Sequence, residues 1–191
     1  MKTIYIASRN THKIEEMRQV LEPIGFKVLS MADVDKKITI VEDKDTFEGN
    51  ALKKAKTLQE YVKAPVLADD SGLEVDALDG RPGVYSARFA GEEATDEENN
   101  HLLLTRLKGA NERSARFVCV MALVGLGEDI IVRGTLEGRI ARRPKLGNGF
   151  GYDPLFLVKE DGRYLSDYTM EEKNKISHRG KALNKLRKHF K

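Results

Sequence analysis

Tryptophan is missing from this 191-residue chain, and cysteine occurs once. With Cys119 alone no internal disulfide can form, and its place in the apolar segment from Phe117 to Leu123 marks it as a buried, inert thiol. Long apolar runs are missing too: no stretch approaches the ~18 residues that a membrane-spanning helix requires. The first ten residues, MKTIYIASRN, lack the apolar core and small-residue cleavage site of a secretory signal, so cytoplasmic residence is expected. Neither sign of charge dominates. The chain has 33 basic and 30 acidic residues, a formal charge of +3, which does not predict nucleic-acid binding. The basic end from Lys173 to Lys191 holds no acid after residue 173 and reads first as a solvated helix face. Repeats, low-complexity tracts and dividing linkers are also absent, so residues 1–191 are expected to form a single domain.

What is present is an alternation of strand and helix patterns. A strand at about 3–7 leads through Ser8-Arg9-Asn10 into a helix carrying Ile14, Met17, Leu21 and Ile24 at helical spacing, closed by Pro23 and Gly25. A second strand follows near Lys27 to Met31. Thr46 caps a helix whose stripe is Phe47, Ala51, Ala55, Leu58 and Val62, and Val66-Leu67-Ala68 reads as a short buried strand. Beyond a turn-rich stretch from Gly80 to Gly91, a helix is expected from Asp96 to about Leu107. Strands are expected at about 115–125 and 129–140 around Gly127, then near Leu155 to Val158, with a last helix from about Arg179 to Phe190. Helix-joined early strands and a later hairpin give an α/β fold on a mixed sheet.

Four stretches could carry chemistry. Ser8 to Lys13 stands between strand and helix, where free backbone N–H groups, hydroxyl, amide and ammonium groups suit an anion, although taken alone it reads first as a plain polar cap. Asp69-Asp70-Ser71-Gly72 places adjacent carboxylates after a buried strand. A hard cation would offset their repulsion; a self-capped turn is the alternative. Gly147 to Pro154 combines glycines with Phe150, Tyr152 and Asp153, which could stack on and hydrogen-bond a base, or simply form a tight turn with core rings. Lys173 and Ser177-His178-Arg179-Gly180 offer a point charge and a rigid donor fork. His12, His101 and His189 show no metal-ligand spacing, so zinc is not expected.

Six blocks in order resemble the inosine/xanthosine triphosphate pyrophosphatases, the Ham1-like enzymes. They are Ser8 to Lys13; Thr46 to Ala51 with Lys54-Ala55; Ala68 to Leu73; Gly83 to Arg88; Phe150 to Pro154; and Lys173 with Ser177 to Gly180. The resemblance implies an elongated two-lobed α/β fold on a central mixed β-sheet with flanking helices, a nucleotide cleft between the lobes, and a homodimer. It implies magnesium-dependent hydrolysis of ITP, dITP and XTP to the monophosphate and pyrophosphate, with neither a membrane nor a specific nucleic acid as partner. By position, Ser8, Arg9, Asn10, Thr11, His12 and Lys13 would hold phosphate, as would Lys54 and Lys173. Glu42 and Asp70 would serve the metal, and Asp70 would also act as general base. Ser71 would touch substrate, while Phe150, Gly151, Tyr152, Asp153, His178 and Arg179 would surround the base. Two positions depart from the family pattern: Arg9 stands where glycine is common, and Gly49 where glutamate is common, preceded here by Glu48. Asp43 and Glu48 therefore stay open as replacements for Glu42. The rival readings are a nucleic-acid-binding module on the basic C-terminal helix and a nuclease or phosphodiesterase on the same carboxylates.

Overall fold

A computed structural model describes residues 2–34, 38–145, 147 and 149–190. Asn148, in the glycine-rich stretch, and the terminal Lys191 lie outside the described residues.

Six strands form one mixed sheet in the order β2-β1-β3-β4-β5-β6. Strand β1 (Lys2–Ile6) lies between β2 (Phe26–Ser30) and β3 (Val66–Val75), parallel to both. Strands β4 (Ser114–Val124) and β5 (Ile130–Ile140) follow, and β6 (Phe156–Val158) runs antiparallel to β5. The chain thus leaves β1 through α1 (Thr11–Leu21) to one side and returns through α3 (Phe47–Val62) to the other. Where strand order reverses in this way, the carboxyl ends of the two strands diverge and leave a crevice. Here that point lies between β1 and β3, beside Ser8 and Asp69.

The chain divides into two compact units. The first comprises residues 1–70, 119–134 and 179–191, and the second residues 71–118 and 135–178; β3, β4 and β5 pass through both. In the first unit Ile4, Ile6 and Leu67 pack with Ile14, Met17 and Leu21 of α1, with Cys119, Met121 and Leu123 of β4, and with Ala182, Leu183 and Leu186 of α6 (His178–Arg187). Those α1 residues are the ones whose spacing predicted the helix, and Cys119 is fully buried. In the second unit Leu73, Val75, Phe117, Leu136 and Phe156 pack with Leu103 and Leu107 from α4 (Asp96–Arg106) and its C-cap. Among the described residues no helix is long and apolar enough to cross a membrane.

Two expectations about elements change. The strand expected at Val66 to Ala68 continues to Val75, straight through Asp69-Asp70-Ser71-Gly72, which composition marks as a turn. Tertiary partners supplied to the two carboxylates override that local preference. Short helices at Met31–Val34 (α2) and Met170–Ile176 (α5) were not expected; α5 is fixed by a reciprocal cap between Thr169 and Glu172.

Candidate active site

In the first unit the residues meet around a cavity of about 310 Å³ lined by Ser8, Arg9, Lys13, Glu42, Lys54 and Asp69, among others. The phosphate-type loop is built by local bonding. Asn10 caps α1 by accepting from the Lys13 N–H (3.2 Å), and Ser8 Oγ accepts from the Asn10 N–H (3.1 Å). The first turn of α1 carries no acid, so no carboxylate of its own offsets the helix's positive end. The Arg9 guanidinium donates to the Ile38 carbonyl (3.0 Å), tying this loop to the segment that leads to Glu42. Thr11 and His12 open α1 on its exposed side.

Successive residues of a strand face opposite ways, and Asp69 and Asp70 obey this. Asp69 faces α1 and α6: Lys13 Nζ lies 2.8 Å from its Oδ2 and Arg179 Nε 3.8 Å from the same oxygen. Burial alone would raise the Asp69 pKa, but Lys13, Arg179 and Lys54 outweigh it and hold the carboxyl well below its ordinary range. Arg179 also donates through Nη1 to Glu16 (2.8 Å) and is itself buried, so it lies between two carboxylates of its own unit.

Asp70 faces α3. The fully buried Asn50 donates to its Oδ2 (3.0 Å), and Lys54 Nζ stands 4.0 Å from Oδ1 while donating to Glu42 Oε1 (2.9 Å). Burial, together with the neighbouring Glu42 charge, pushes the Asp70 carboxyl up to about 6 against the pull of Lys54 and the Asn50 bond. Burial works against the Lys54 charge as well, yet Asp69, Glu42 and Asp70 more than compensate and raise its pKa.

The alternatives to Glu42 are engaged elsewhere. Glu48 pairs with Arg133 at 3.0 Å and Asp43 with Lys53 at 2.8 Å, both half-exposed. Of these three candidates, Glu42 is the one that shares Lys54 with Asp70. Among the described residues no group of three or more His, Cys, Asp or Glu side chains is placed to hold a metal.

In the second unit, Asp153 and Lys173 form a largely buried pair at 2.7 Å, and Asp153 Oδ2 also accepts from the Phe150 N–H (3.3 Å). Gly149 has a φ of +130°, and a Cβ there would collide with both members of this pair. Tyr152 is buried and donates to the Ser86 carbonyl (2.7 Å), so its ring belongs to the core. Phe150 is 41% exposed and is the ring of the two that a ligand can reach. His178 stacks on Phe117 with centroids 5.0 Å apart. Ser71 is half-buried on β3 immediately after Asp70.

A family model described as the Ham1 family matches residues 4–189. The chain belongs to the Ham1 family. It is 51% identical over 187 residues to a protein named dITP/XTP pyrophosphatase from an Exiguobacterium species, covering 97% of this chain and 95% of that one. A Bacillus subtilis protein of the same name is 47% identical over 191 residues, covering 98% and 96%. The structure of a HAM1 protein from Coxiella burnetii superimposes with a TM-score of 0.93 at 41% identity, covering 99% of this chain and 98% of that chain.

In this Ham1-family chain two residues of the cluster were not singled out from sequence, Asn50 and Glu16, whereas Asp69 was marked as one of an adjacent acid pair. Asn50 carried a readable signal. It lies on the buried stripe of α3, between Phe47 and Lys54, where a polar side chain needs a partner. Glu16 had no such signal, because its partner Arg179 is 163 residues away.

Proposed function

We propose that this protein is a nucleoside-triphosphate pyrophosphohydrolase that converts ITP, dITP and XTP to the monophosphate and pyrophosphate, clearing non-standard purines from the nucleotide pool. The observation that carries the reading is the meeting of Lys13, Lys54, Glu42, Asp69 and Asp70 at the β1/β3 divergence in a Ham1-family chain. Cations there can receive a triphosphate while carboxylates serve a metal and a water.

The donor set fits a hard divalent cation. Glu42 and Asp70 offer carboxylate oxygens beside one ammonium, and the raised Asp70 pKa reports burial, reinforced by Glu42, of a charge that a bound cation would stabilise. Magnesium held by these two carboxylates would neutralise phosphate charge and polarise the phosphoryl group. Lys13 and Lys54 contribute fixed positive charge for the phosphate oxygens, and the loop from Ser8 to His12 would add donors to it. Asn50 keeps Asp70 in one orientation. Asp70 then takes the proton of the water that attacks the α-phosphorus, and pyrophosphate leaves. Asp69, neutralised by Lys13 and Arg179, holds those cations in place.

On the nucleoside side, the exposed Phe150 ring supplies a stacking surface beside Gly151. His178, Ser71 and the Asp153–Lys173 pair supply polar groups, and a 6-oxo purine edge presents an acceptor where adenine presents a donor. Continuous β3, β4 and β5 support a single domain over residues 1–191, while the homodimer rests on the family resemblance. The deciding experiment is pyrophosphate release from ITP, dITP, XTP, ATP and GTP with and without magnesium. Release from the first three, well above the others and only with metal, is expected. Orthophosphate as the product, or equal rates on all five, would overturn the reading.

A further inference from the structure

We propose that Asp96 and Asn100, on the first turns of α4, are positioning residues that preset the Phe150 loop for stacking on the nucleobase. The claim rests on the function proposed above and adds to it a determinant of base affinity remote from the phosphate chemistry.

The two side chains lie four residues apart and therefore on one face of the helix. Together they grip both polar groups of a single residue: Asp96 Oδ2 accepts from the Gly151 N–H (2.6 Å), and Asn100 Nδ2 donates to the Gly151 carbonyl (3.0 Å). Gly151 has a φ of +61°, a conformation that glycine reaches freely and leaves as freely, so something other than its own preference must hold it. On the far side, Tyr152 is anchored through its hydroxyl to Ser86, whose own Oγ accepts from the Leu73 N–H on β3 (2.8 Å). Residues 151 and 152 are thus fixed to α4 and to the core, while the ring of Phe150, directly before them, stays exposed.

Packing does not explain Asn100. Its Oδ1 is buried without a hydrogen-bond partner among the described residues, a cost that an apolar residue on α4 would not carry. Its Nδ2 bond to Gly151 is what the asparagine provides. Loop order established before the ligand arrives lowers the entropy lost on binding, and this appears as affinity, not as turnover.

The test is steady-state pyrophosphate release from dITP by Asn100→Ala, Asp96→Ala and the double variant. Each single substitution is expected to raise KM about tenfold with kcat within about twofold, in keeping with the loss of one positioning hydrogen bond. The double variant should fall short of a hundredfold, because both residues grip the same peptide. Asp96→Asn keeps an accepting oxygen and should restore the KM. Inhibition by inorganic tripolyphosphate, which has no base to stack, should be unchanged in every variant. An unaltered KM in folded variants, or equal shifts for dITP and tripolyphosphate, would overturn the proposal. Calorimetric dITP affinity in chelator separates the two claims: if the wild type releases no pyrophosphate, the proposed function fails, and the wild-type to Asn100→Ala affinity ratio still decides the positioning role.

Discussion

Asp69 and Asp70 are consecutive on β3, yet the α1/α6 side of the strand and the α3 side treat their carboxylates in opposite ways. On the first side Asp69 meets an ammonium and a guanidinium, so its charge is favoured and serves as a fixed strut. On the second side Asp70 meets one ammonium already shared with Glu42, so its charge is disfavoured and available for a proton or a metal. A buried carboxylate thus favours its charged or its protonated form according to the cations and carboxylates around it, and the burial itself is common to both.

The largest predicted effect breaks the comparison on the α3 side. Asp70→Asn should lower kcat about 10²–10⁴-fold in a pyrophosphate-release assay, the usual range for removing a general base. The same variant in chelator should be as stable as the wild type at pH 4 and more stable at pH 8; turnover near the wild-type rate would refute the role given to Asp70. Asp69→Asn should do the reverse for stability, leaving Lys13 and the buried Arg179 short of a counter-charge at a cost of about 3–5 kcal/mol. Denaturant melts measure it.

The pH dependence sharpens the contrast. Asp70 has a folded-state pKa raised to about 6 from an ordinary 3.8, so the fold favours its protonated form. Its favourable contribution is full below the ordinary value and disappears as pH rises through about 6, a change of about 3 kcal/mol. Asp69 is shifted the other way, so its contribution is present above its ordinary value and is lost only in strong acid. Subtracting the Asp70→Asn stability curve from that of the wild type, both in chelator, should show a decline between about pH 4 and 6; a flat difference would contradict the asymmetry.

A smaller effect tests the second unit. Phe150→Ala removes a stacking surface worth about 1–3 kcal/mol per base, so KM for dITP should rise about tenfold or more with kcat little changed. The smallest concerns the two alternatives to Glu42: Glu48→Gln and Asp43→Asn break half-exposed pairs worth about 0–1 kcal/mol and should leave kcat within about threefold, whereas Glu42→Gln should not.

Much of this was legible in the residues. The stripes of α1 and α3 are fixed by spacing, because a helix with one apolar face has one way to bury it, and the strands around Gly127 follow from their length and β-branched content. The acid pair, the Ser8 to Lys13 junction and the Phe150 stretch were visible as chemistry, and six blocks in order specified the family. What stayed illegible depended on long-range neighbours. Asp69-Asp70-Ser71-Gly72 has turn composition and is strand, since Lys13, Arg179 and Asn50 make an extended backbone the better host for both carboxylates. Phe150 and Tyr152 look equivalent as aromatics between glycines, but only Tyr152 finds the Ser86 carbonyl and the core.

The order of residues by itself determined the family, the sheet-forming segments and the inventory of charged groups, because local spacing and composition encode them. Tertiary structure alone decided which of two adjacent aspartates is neutralised, that Glu42 and not Glu48 or Asp43 shares Lys54, and that Arg179 is committed to Glu16 and Asp69. Those outcomes depend on Coulomb energies within about 4 Å in a buried setting, between side chains whose separation along the chain ranges from twelve residues to well over a hundred.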